Sequence, residues 1–181
     1  MNRKPLIALA TLALGTVASF AHAQQNTQLN YGVTVGEYLP SSKAIRDAFG
    51  SSVLSYGIGA VGTARPSTGS ITPDFNIVNA NSNGNKLFIG TYTMGYEYNL
   101  ASNGSAFLPY GRGFAGLSYF DFGIDVPGRR ESLKRLGYTY GAEVGVVVNK
   151  RIRLAARYNV YSKENMFDFN GLTFSLTYAF F

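Results

Sequence analysis

The chain has 181 residues but no cysteine and no tryptophan, and its single histidine is His22. The absence of cysteine excludes disulfides, thiolate metal sites, cysteine nucleophiles and a lipidated N-terminal cysteine. Because His22 lies in a segment that we expect to be removed, the mature chain would have no Ser-His-Asp or Cys-His scheme and no histidine metal ligand. We therefore expect neither an enzyme nor a bound metal or cofactor.

Charged residues are also scarce, at 14% of the chain, where an ordinary soluble domain has about 25%. Tyr and Phe supply a further 14%, and glycine occurs 21 times. A surface exposed to water needs more charge than this, so much of the exterior should face an apolar medium. Yet the mean hydropathy is zero, and no stretch after residue 23 approaches the ~20 apolar residues of a membrane-spanning helix.

The first 23 residues have the pattern of a secretory signal peptide. Two basic residues precede an apolar run, Leu6–Phe20, and the small residues Ala21 and Ala23 then form a cleavage site. An uncleaved membrane anchor is the alternative, but the run is short for a span. We expect residues 1–23 to be removed and residues 24–181 to form one domain. That domain keeps 14 of the 16 basic residues against 10 acidic ones, a net charge of +4 that is too scattered to indicate nucleic-acid binding.

Beyond Gln25 the apolar residues recur with a period of two, which predicts β-strands. We expect eight strands, joined as an up-and-down meander. Their predicted ranges are Leu29–Tyr38, Val53–Gly62, Pro73–Ala80, Lys86–Asn99, Phe107–Phe122, Leu136–Val148, Arg151–Ser162 and Phe169–Phe181. The fourth strand is the clearest, with Tyr92 and Tyr96 on one face and Thr93 and Glu97 on the other. The sixth, seventh and eighth strands alternate in the same way, whereas the faces of the first three are not assigned.

Alternation of this kind fits two classes of barrel. A soluble lipocalin-like barrel turns its apolar face inward, and a transmembrane barrel turns it outward. Scarce charge favours the transmembrane class. Polar faces built from Gly, Ser and Thr with single Glu and Arg residues favour it too, because eight strands enclose a space that side chains just fill. We predict an all-β, eight-stranded antiparallel transmembrane β-barrel, with a soluble periplasmic or secreted binding barrel as the alternative.

The chain ends on an alternating strand. Its apolar positions are Phe174, Leu176, Tyr178 and Phe180, and the final residue, Phe181, is one position out of register. This ending resembles the terminal strand of outer-membrane β-barrels, and the mature chain resembles the small eight-stranded OmpA/OmpX-like type in length, strand count and export signal. The resemblance implies an outer-membrane location, contact with outer-membrane lipids, and reading of the last strand by the barrel assembly machinery.

An even number of strands places both termini on the periplasmic side. Asn149-Lys150 would then make a tight periplasmic hairpin turn, and residues 102–105 a second turn. Between Pro40 and Gly50 the sequence carries the apolar stripe of a short helix that would pack on the barrel mouth, with Ser41 or Ser42 as its cap. The predicted extracellular links are Leu39–Ser52, Asn81–Asn85, Gly123–Arg135 and Lys163–Asp168.

Charged residues on the polar strand faces form the first candidate site. We expect Glu97 and Glu143 to pair with Arg112, Arg153 or Arg157 in a lumenal network, because buried charges are tolerated when they are paired. A catalytic carboxylate pair is the alternative.

The densest basic run holds Arg129, Arg130, Lys134 and Arg135, and it forms the second candidate site. We expect it to contact lipopolysaccharide head groups or an acidic partner, with an ordinary solvated loop as the alternative. The sequence as a whole favours a structural or interaction barrel, acting in membrane integrity, adhesion or surface binding through its outer loops. A narrow channel or small-solute transporter is the second reading, because the filled interior of eight strands leaves no wide pore.

Overall fold

Eight antiparallel strands close into one barrel. The computed structural model describes residues 29–62, 69–100, 106–126, 129–163 and 167–180. Each strand pairs with its neighbours in sequence, and the last pairs with the first, which confirms the predicted up-and-down barrel. The strands are β1 (Leu29–Pro40), β2 (Val53–Gly62), β3 (Ser70–Ser82), β4 (Asn85–Asn99), β5 (Phe107–Val126), β6 (Arg129–Val148), β7 (Ile152–Tyr161) and β8 (Gly171–Ala179).

Three predicted features lie outside the described residues. They are the signal peptide with its cleavage residues Ala21 and Ala23, the turn at 102–105, and the final residue, Phe181. The predicted strand at 73–80 is observed as the longer β3, so the weakly patterned region before Asn85 contributes a full strand to the barrel.

A short helix, α1 (Lys43–Phe49), joins β1 to β2 as predicted. Its apolar stripe is buried through Ile45 and Phe49, which pack into an apolar cluster at the barrel mouth. Ser42 occupies the N-cap position, one of the two predicted, although its side chain makes no capping hydrogen bond. Gly50 ends the helix at φ 96°, a conformation that residues with a Cβ rarely adopt. Among the described residues, no helix has the length and hydropathy needed to cross a bilayer.

The turns define two ends of the barrel. Asn149 and Lys150 have φ of 48° and 59°, and Arg151 N donates to Val148 O at 3.1 Å, so the predicted tight turn is observed. Both described termini lie at this end, which we name the inner end. The opposite end, which we name the outer end, carries α1, the β7–β8 link and a two-residue β3–β4 turn at Asn83-Gly84.

The strands differ strongly in length. β5 and β6 have 20 residues each, whereas β7 has 10 and β8 has nine. Because about 9–11 tilted residues cross a bilayer, β5 and β6 extend far beyond the outer end of β7 and β8. We name this extension the outer wall; it comprises residues 119–126 and 129–136, with the start of β4 beside them.

The outer wall corrects a prediction. The link predicted at Gly123–Arg135 is not a loop, because β5 and β6 stay paired up to Val126 and Arg129. Phe120, Phe122 and Ile124 explain the extension: they alternate along β5 and are buried in the apolar cluster at the mouth, which keeps the strand extended. The basic residues of β6 in the same stretch give it the composition of a loop.

Apolar side chains cover the outside of the barrel, and polar side chains fill the inside. On β4, Tyr96 is 58% exposed and its neighbour Glu97 is fully buried. The same alternation holds on β6, β7 and β8, as predicted, and it also assigns β1, where Val33 and Val35 point outward. The soluble lipocalin-like alternative is therefore wrong, because that class would place the apolar face inside.

The interior is arranged in three layers. The middle layer is polar and charged. The outer layer is apolar and holds Tyr38, Ile45, Phe49, Val53, Val78, Leu87, Ile89, Phe120, Phe122, Ile124, Tyr161, Phe167 and Phe169. The inner layer is a smaller apolar cluster of Val61, Leu108, Tyr110, Val147, Ala155 and Ala179.

Candidate functional site

Six ionisable side chains meet in the middle layer of the lumen. Each is at most 10% exposed, so all six are shielded from bulk solvent. They comprise three carboxylates and three guanidinium groups, which makes the set neutral when all are ionised. The residues are Asp74 on β3, Glu97 on β4, Arg112 on β5, Glu143 on β6, and Arg153 and Arg157 on β7.

Asp74 is held between two arginines. Its Oδ2 atom lies 2.5 Å from Arg112 Nη2, and its Oδ1 atom lies 2.7 Å from Arg157 Nη1. The Thr93 hydroxyl donates to Asp74 Oδ2 at 2.9 Å and accepts from Arg157 Nη2 at 3.0 Å. Charge-assisted hydrogen bonds on both oxygens satisfy a carboxylate that would otherwise be costly to bury.

Glu143 faces all three arginines. Its carboxylate oxygens lie 3.4 Å from Arg112 Nη1, 3.6 Å from Arg153 Nη2 and 4.0 Å from Arg157 Nη1. The Tyr110 hydroxyl donates to Glu143 Oε1 at 2.6 Å. Arg153 also forms an ion pair with Glu97. Glu143 is therefore the hub of the network, because the other two carboxylates each pair closely with only part of the arginine set.

Aromatic rings and glycines fit the arginines into the narrow lumen. The Arg157 guanidinium lies 3.7 Å from the centroid of the Phe114 ring, and the Arg153 guanidinium lies 4.4 Å from that of Tyr110. These are cation–π distances. Gly95 makes room for Arg112, because a Cβ at this position would lie 2.1 Å from Arg112 Nε. Large and small inward residues thus alternate to fill the barrel.

The barrel wall has a weak seam between β2 and β3. The β2–β3 ladder runs only from Ser55–Val78 to Gly59–Asp74, and it stops immediately before Pro73. Proline has no amide hydrogen to donate to a neighbouring strand, which explains why the pairing ends there. We name the region where Ala60–Gly62 and Ser70–Pro73 face each other without ladder pairing the β2–β3 seam.

Lumenal arginines donate to one backbone carbonyl at the seam and to one on the neighbouring β3–β4 ladder. Arg153 Nη1 donates to Ala60 O at 2.8 Å, and Arg112 Nη2 donates to Thr72 O at 2.7 Å. In lipid each backbone polar group needs an internal partner, and for the carbonyl of Ala60, opposite Pro73, the Arg153 side chain supplies it where the β2–β3 ladder does not. The charged network is thus joined to the wall at its least paired position.

The lumen is nearly full. A cavity of about 30 Å³ lies among the charged residues, which is room for two or three water molecules. Apolar layers close the barrel above and below it. In the described part of the chain, no group of three or more acidic or histidine side chains could hold a metal ion.

The structure brings together the five lumenal residues named from sequence, Glu97, Arg112, Glu143, Arg153 and Arg157. Sequence reasoning missed the sixth, Asp74. A usable signal was present, because Thr72, Asp74 and Asn76 alternate with Ile71, Pro73, Phe75 and Ile77.

The basic residues of the outer wall form ion pairs with acidic neighbours. Arg130 Nη1 lies 3.1 Å from Asp125 Oδ1, and Arg129 Nε lies 2.5 Å from Glu131 Oε1. Lys134 Nζ lies 3.9 Å from Asp121 Oδ2. Asp121 is also paired, more closely, with the lysine at position 86. Strand alternation divides these residues between two faces: Arg130 and Lys134 point outward with Asp121 and Asp125, whereas Arg129 and Glu131 lie on the face on which Leu133 packs against the mouth cluster.

At the other end of the sequence, β8 carries the apolar positions of the predicted assembly signal. Phe174, Leu176 and Tyr178 point outward and are between 42% and 47% exposed, and Phe180 follows the strand with its amide donating to Tyr31 O at 3.0 Å.

A family model described as "Outer membrane protein beta-barrel domain" matches residues 7–180. The chain belongs to this family. An outward apolar face is what a barrel of this family requires, since a transmembrane barrel carries its apolar band on the outside. No curated protein sequence matches this chain.

Three solved structures show the same fold in other members of this class. Neisserial surface protein A (NspA) superposes with a TM-score of 0.59 at 16% identity, covering 86% of this chain and 100% of NspA. The N-terminal β-barrel domain of Pseudomonas aeruginosa OprF gives 0.57 at 10% identity, covering 84% and 100%. Ail, the attachment invasion locus protein of Yersinia pestis, gives 0.50 at 15% identity, covering 84% and 99%. At these identities the similarity establishes the fold, and it assigns no ligand.

Proposed function

We propose that this outer-membrane barrel is a non-conducting, non-enzymatic anchor that presents its outer wall to anionic partners outside the cell. The observation that carries this proposal is the closed lumen. Three buried cations and three buried anions neutralise one another, and apolar layers lie on both sides of them. An ion entering this space would lose its hydration without finding an unpaired counter-charge. The lumenal charges therefore stabilise the barrel, and binding is left to the outer surface.

The composition of the outer wall supports an anionic partner. Its two faces together carry five cations and three anions, a net charge of +2. Strand alternation places Lys86, Arg130 and Lys134 with Asp121 and Asp125 on the outward face, which has a net charge of +1. The cations are Lys86, Arg129, Arg130, Lys134 and Arg135, and the anions are Asp121, Asp125 and Glu131. Ail has been crystallised with the heparin analogue sucrose octasulfate, so one barrel of this fold accepts a densely sulfated ligand. We propose a polyanionic glycan as the ligand class for this wall as well.

Export and assembly belong to the same proposal. Cleavage after Ala23 would release the domain into the periplasm, and the outward row of Phe174, Leu176, Tyr178 and Phe180, with Phe181 after it, would be read by the barrel assembly machinery. N-terminal sequencing of the protein from outer membranes tests the cleavage site, since the proposal requires Gln24 as the first residue.

The binding proposal is tested with a labelled heparin analogue on intact cells. We expect R130A/K134A to lower the affinity roughly fivefold or more, that is, by at least about 1 kcal/mol. K150A/R151A is the matched control, because it removes the same charge from an exposed turn at the inner end. Binding should also weaken as salt rises. Equal affinities for the two variants would contradict the proposal.

A narrow channel is the second candidate, and conductance separates it from an anchor. We expect no conductance steps when the purified barrel is added to planar bilayers. Regular unitary conductance steps in the unmodified protein would show that the apolar layers open. The protein would then be a channel and not a closed anchor.

A further inference from the structure

The apolar band on the outside of β6–β8, β1 and β2 contains a single carboxylate among the described residues. Glu37 on β1 is exposed and follows Val33 and Val35 along the outward face. It pairs in register with Leu54 on β2 and Phe174 on β8, which are both exposed and apolar. Within the described part of the chain, the Glu37 side chain has no ion-pair partner. A charge on this face of a transmembrane barrel is costly unless something offsets it.

Neighbouring residues place Glu37 just inside the outer edge of the apolar band. β1 ends at Pro40, three residues further on, so Glu37 lies roughly 10 Å along the strand from the outer end. Tyr158 on β7 is 44% exposed and pairs with Leu172, one outward position above Phe174. Exposed tyrosines of membrane proteins collect at the level of the lipid head groups. The carboxylate therefore lies one row of side chains below that level.

A shallow groove of about 700 Å³ runs from Glu37 across the outside of β8 and β7 to β6, and we name it the Glu37 groove. Its low point is the small residue Ala156, which pairs with Phe174 on one side and Val144 on the other. Strand residues alone form the groove, so the links at the two ends of the barrel do not shape it. It lies between two rows of outward side chains, which are Glu37, Phe174, Ala156 and Val144 in one row and Val35, Leu176, Leu154 and Val146 in the other.

We propose that the Glu37 groove binds a single-chain cationic amphiphile, with its ammonium group on Glu37 and its alkyl chain between the two rows. The charge of the groove selects a cation, because its one ionised side chain is a carboxylate. An ammonium group held there would form a charge-assisted hydrogen bond in surroundings of low dielectric constant. Three strand spacings separate β1 from β6, roughly 14 Å, which matches an extended alkyl chain of about 11 carbons.

Other amphiphiles fit the groove less well. A fatty acid or the phosphate of lipid A would bring a second negative charge to Glu37, and like charges repel strongly in a medium of low dielectric constant. In a phospholipid with an ammonium group, the phosphate stands between that group and the acyl chains. Chains lying in the groove would therefore place the phosphate, and not the ammonium group, against the carboxylate. An alkylamine has its charge directly at the end of the chain.

This site is separate from the outer wall, so the two binding proposals fail independently. E37Q should leave binding of the heparin analogue to intact cells within about twofold of the unmodified protein. R130A/K134A should likewise leave binding of an alkylamine unchanged. If E37Q lost the heparin analogue as fully as R130A/K134A, Glu37 would act on the barrel as a whole, and a dedicated amphiphile groove would be overturned.

The direct test is photo-crosslinking of the protein, purified from outer membranes and reconstituted in phosphatidylcholine vesicles. The probes are dodecylamine and dodecanol that carry the same diazirine in mid-chain, and labelled peptides are identified by mass spectrometry. We expect the amine to label β7 and β8 at least fivefold more than the alcohol does, relative to β5. E37Q should abolish this preference. D47N removes the same charge from the exposed helix α1 and should keep it.

A second pair of variants tests the shape of the groove while leaving the carboxylate in place. A156L fills the low point and should lower amine labelling at least fivefold. A142L is its matched control, because Ala142 is an exposed outward residue of β6 that pairs with Tyr158 and does not line the groove. Heat-dependent gel mobility establishes that each variant is folded before it is labelled.

The remaining outcomes would overturn the proposal. Equal labelling by amine and alcohol in the unmodified protein would show that the carboxylate selects nothing. An amine preference that persists in E37Q would place the ammonium group elsewhere. Crosslinks between two copies of the chain, lost in both E37Q and A156L and unaccompanied by probe labelling, would make the groove an interface between copies.

Discussion

Replacing Glu143 with glutamine tests whether the lumenal network stabilises the barrel. The substitution keeps the shape of the side chain but removes the negative charge that faces three arginines at 3.4, 3.6 and 4.0 Å. Three buried guanidinium groups would then share two carboxylates. Leaving a buried charge uncompensated costs about 3–5 kcal/mol. With a urea m-value of about 2 kcal/mol/M, the unfolding midpoint should fall by roughly 2 M.

The assay is equilibrium unfolding in lipid vesicles, followed by far-UV circular dichroism and by the gel mobility of unboiled samples. D47N is the control, because Asp47 belongs to an exposed ion pair with Lys43 in which both side chains are more than 60% exposed. Exposed pairs contribute at most about 1 kcal/mol. If E143Q and D47N have the same midpoint, the network does not stabilise the barrel and our account of the lumen is wrong.

A double variant distinguishes the effect of charge balance in the lumen from the effect of lost local contacts. In E143Q/R112Q, Asp74 keeps Arg157 at 2.7 Å and Glu97 keeps its ion pair with Arg153, so the lumen is neutral again. The double variant should therefore lose less stability than the two single variants combined, with a coupling of about 1–3 kcal/mol. Strict additivity would show that each change acts through its own local contacts and that charge balance plays no part.

The remaining predictions concern the fit of the arginines and the β2–β3 seam. G95A should cost about 1–3 kcal/mol of unfolding free energy because its Cβ would lie 2.1 Å from Arg112 Nε, whereas G113A, with open space around its Cβ, should change it by less than about 0.5 kcal/mol. R153M should speed amide hydrogen exchange in peptides from residues 55–62 and 70–78 but not in β5, measured by mass spectrometry against R151M at the exposed turn.

The sequence correctly predicted which side chains point inward and which point outward wherever one side of a strand is uniformly apolar. β4 from Thr91 to Asn99, β6 from Leu136 to Val146, and β7 and β8 show this alternation, and scarce charge then decides which face is outside. Asp74 was missed because the faces of the predicted strand at 73–80 were not assigned, although its residues alternate correctly along β3. A proline within a strand is compatible with a β-barrel where the neighbouring ladder ends, and β3 is such a case.

Two other features cannot be predicted from the period of the apolar residues. Which arginine meets which carboxylate is set by how far each strand is shifted along its neighbour, and Asp74 and Arg112 are 38 positions apart in the sequence. The start of β6, at the outer end of the barrel, was predicted wrongly for a different reason. Its basic residues are typical of a loop, but the apolar residues of β5 opposite them fix an extended pair. Strand ends near the barrel mouth therefore follow the partner strand more than the local composition.

The β2–β3 seam gives a structural reason for burying charge in the lumen. A closed sheet in lipid has to satisfy every backbone carbonyl, and Pro73 has no amide donor at the point where the β2–β3 ladder stops. Arginine can reach across the lumen with several donors, and two of them meet the carbonyls of Ala60 and Thr72. Each arginine then needs a carboxylate within the same low-dielectric space, and the carboxylates need further donors in turn. The need for a donor at Ala60 thus accounts for Arg153, and the pairing of Arg153 with Glu97 and Glu143 accounts for the carboxylates beside it.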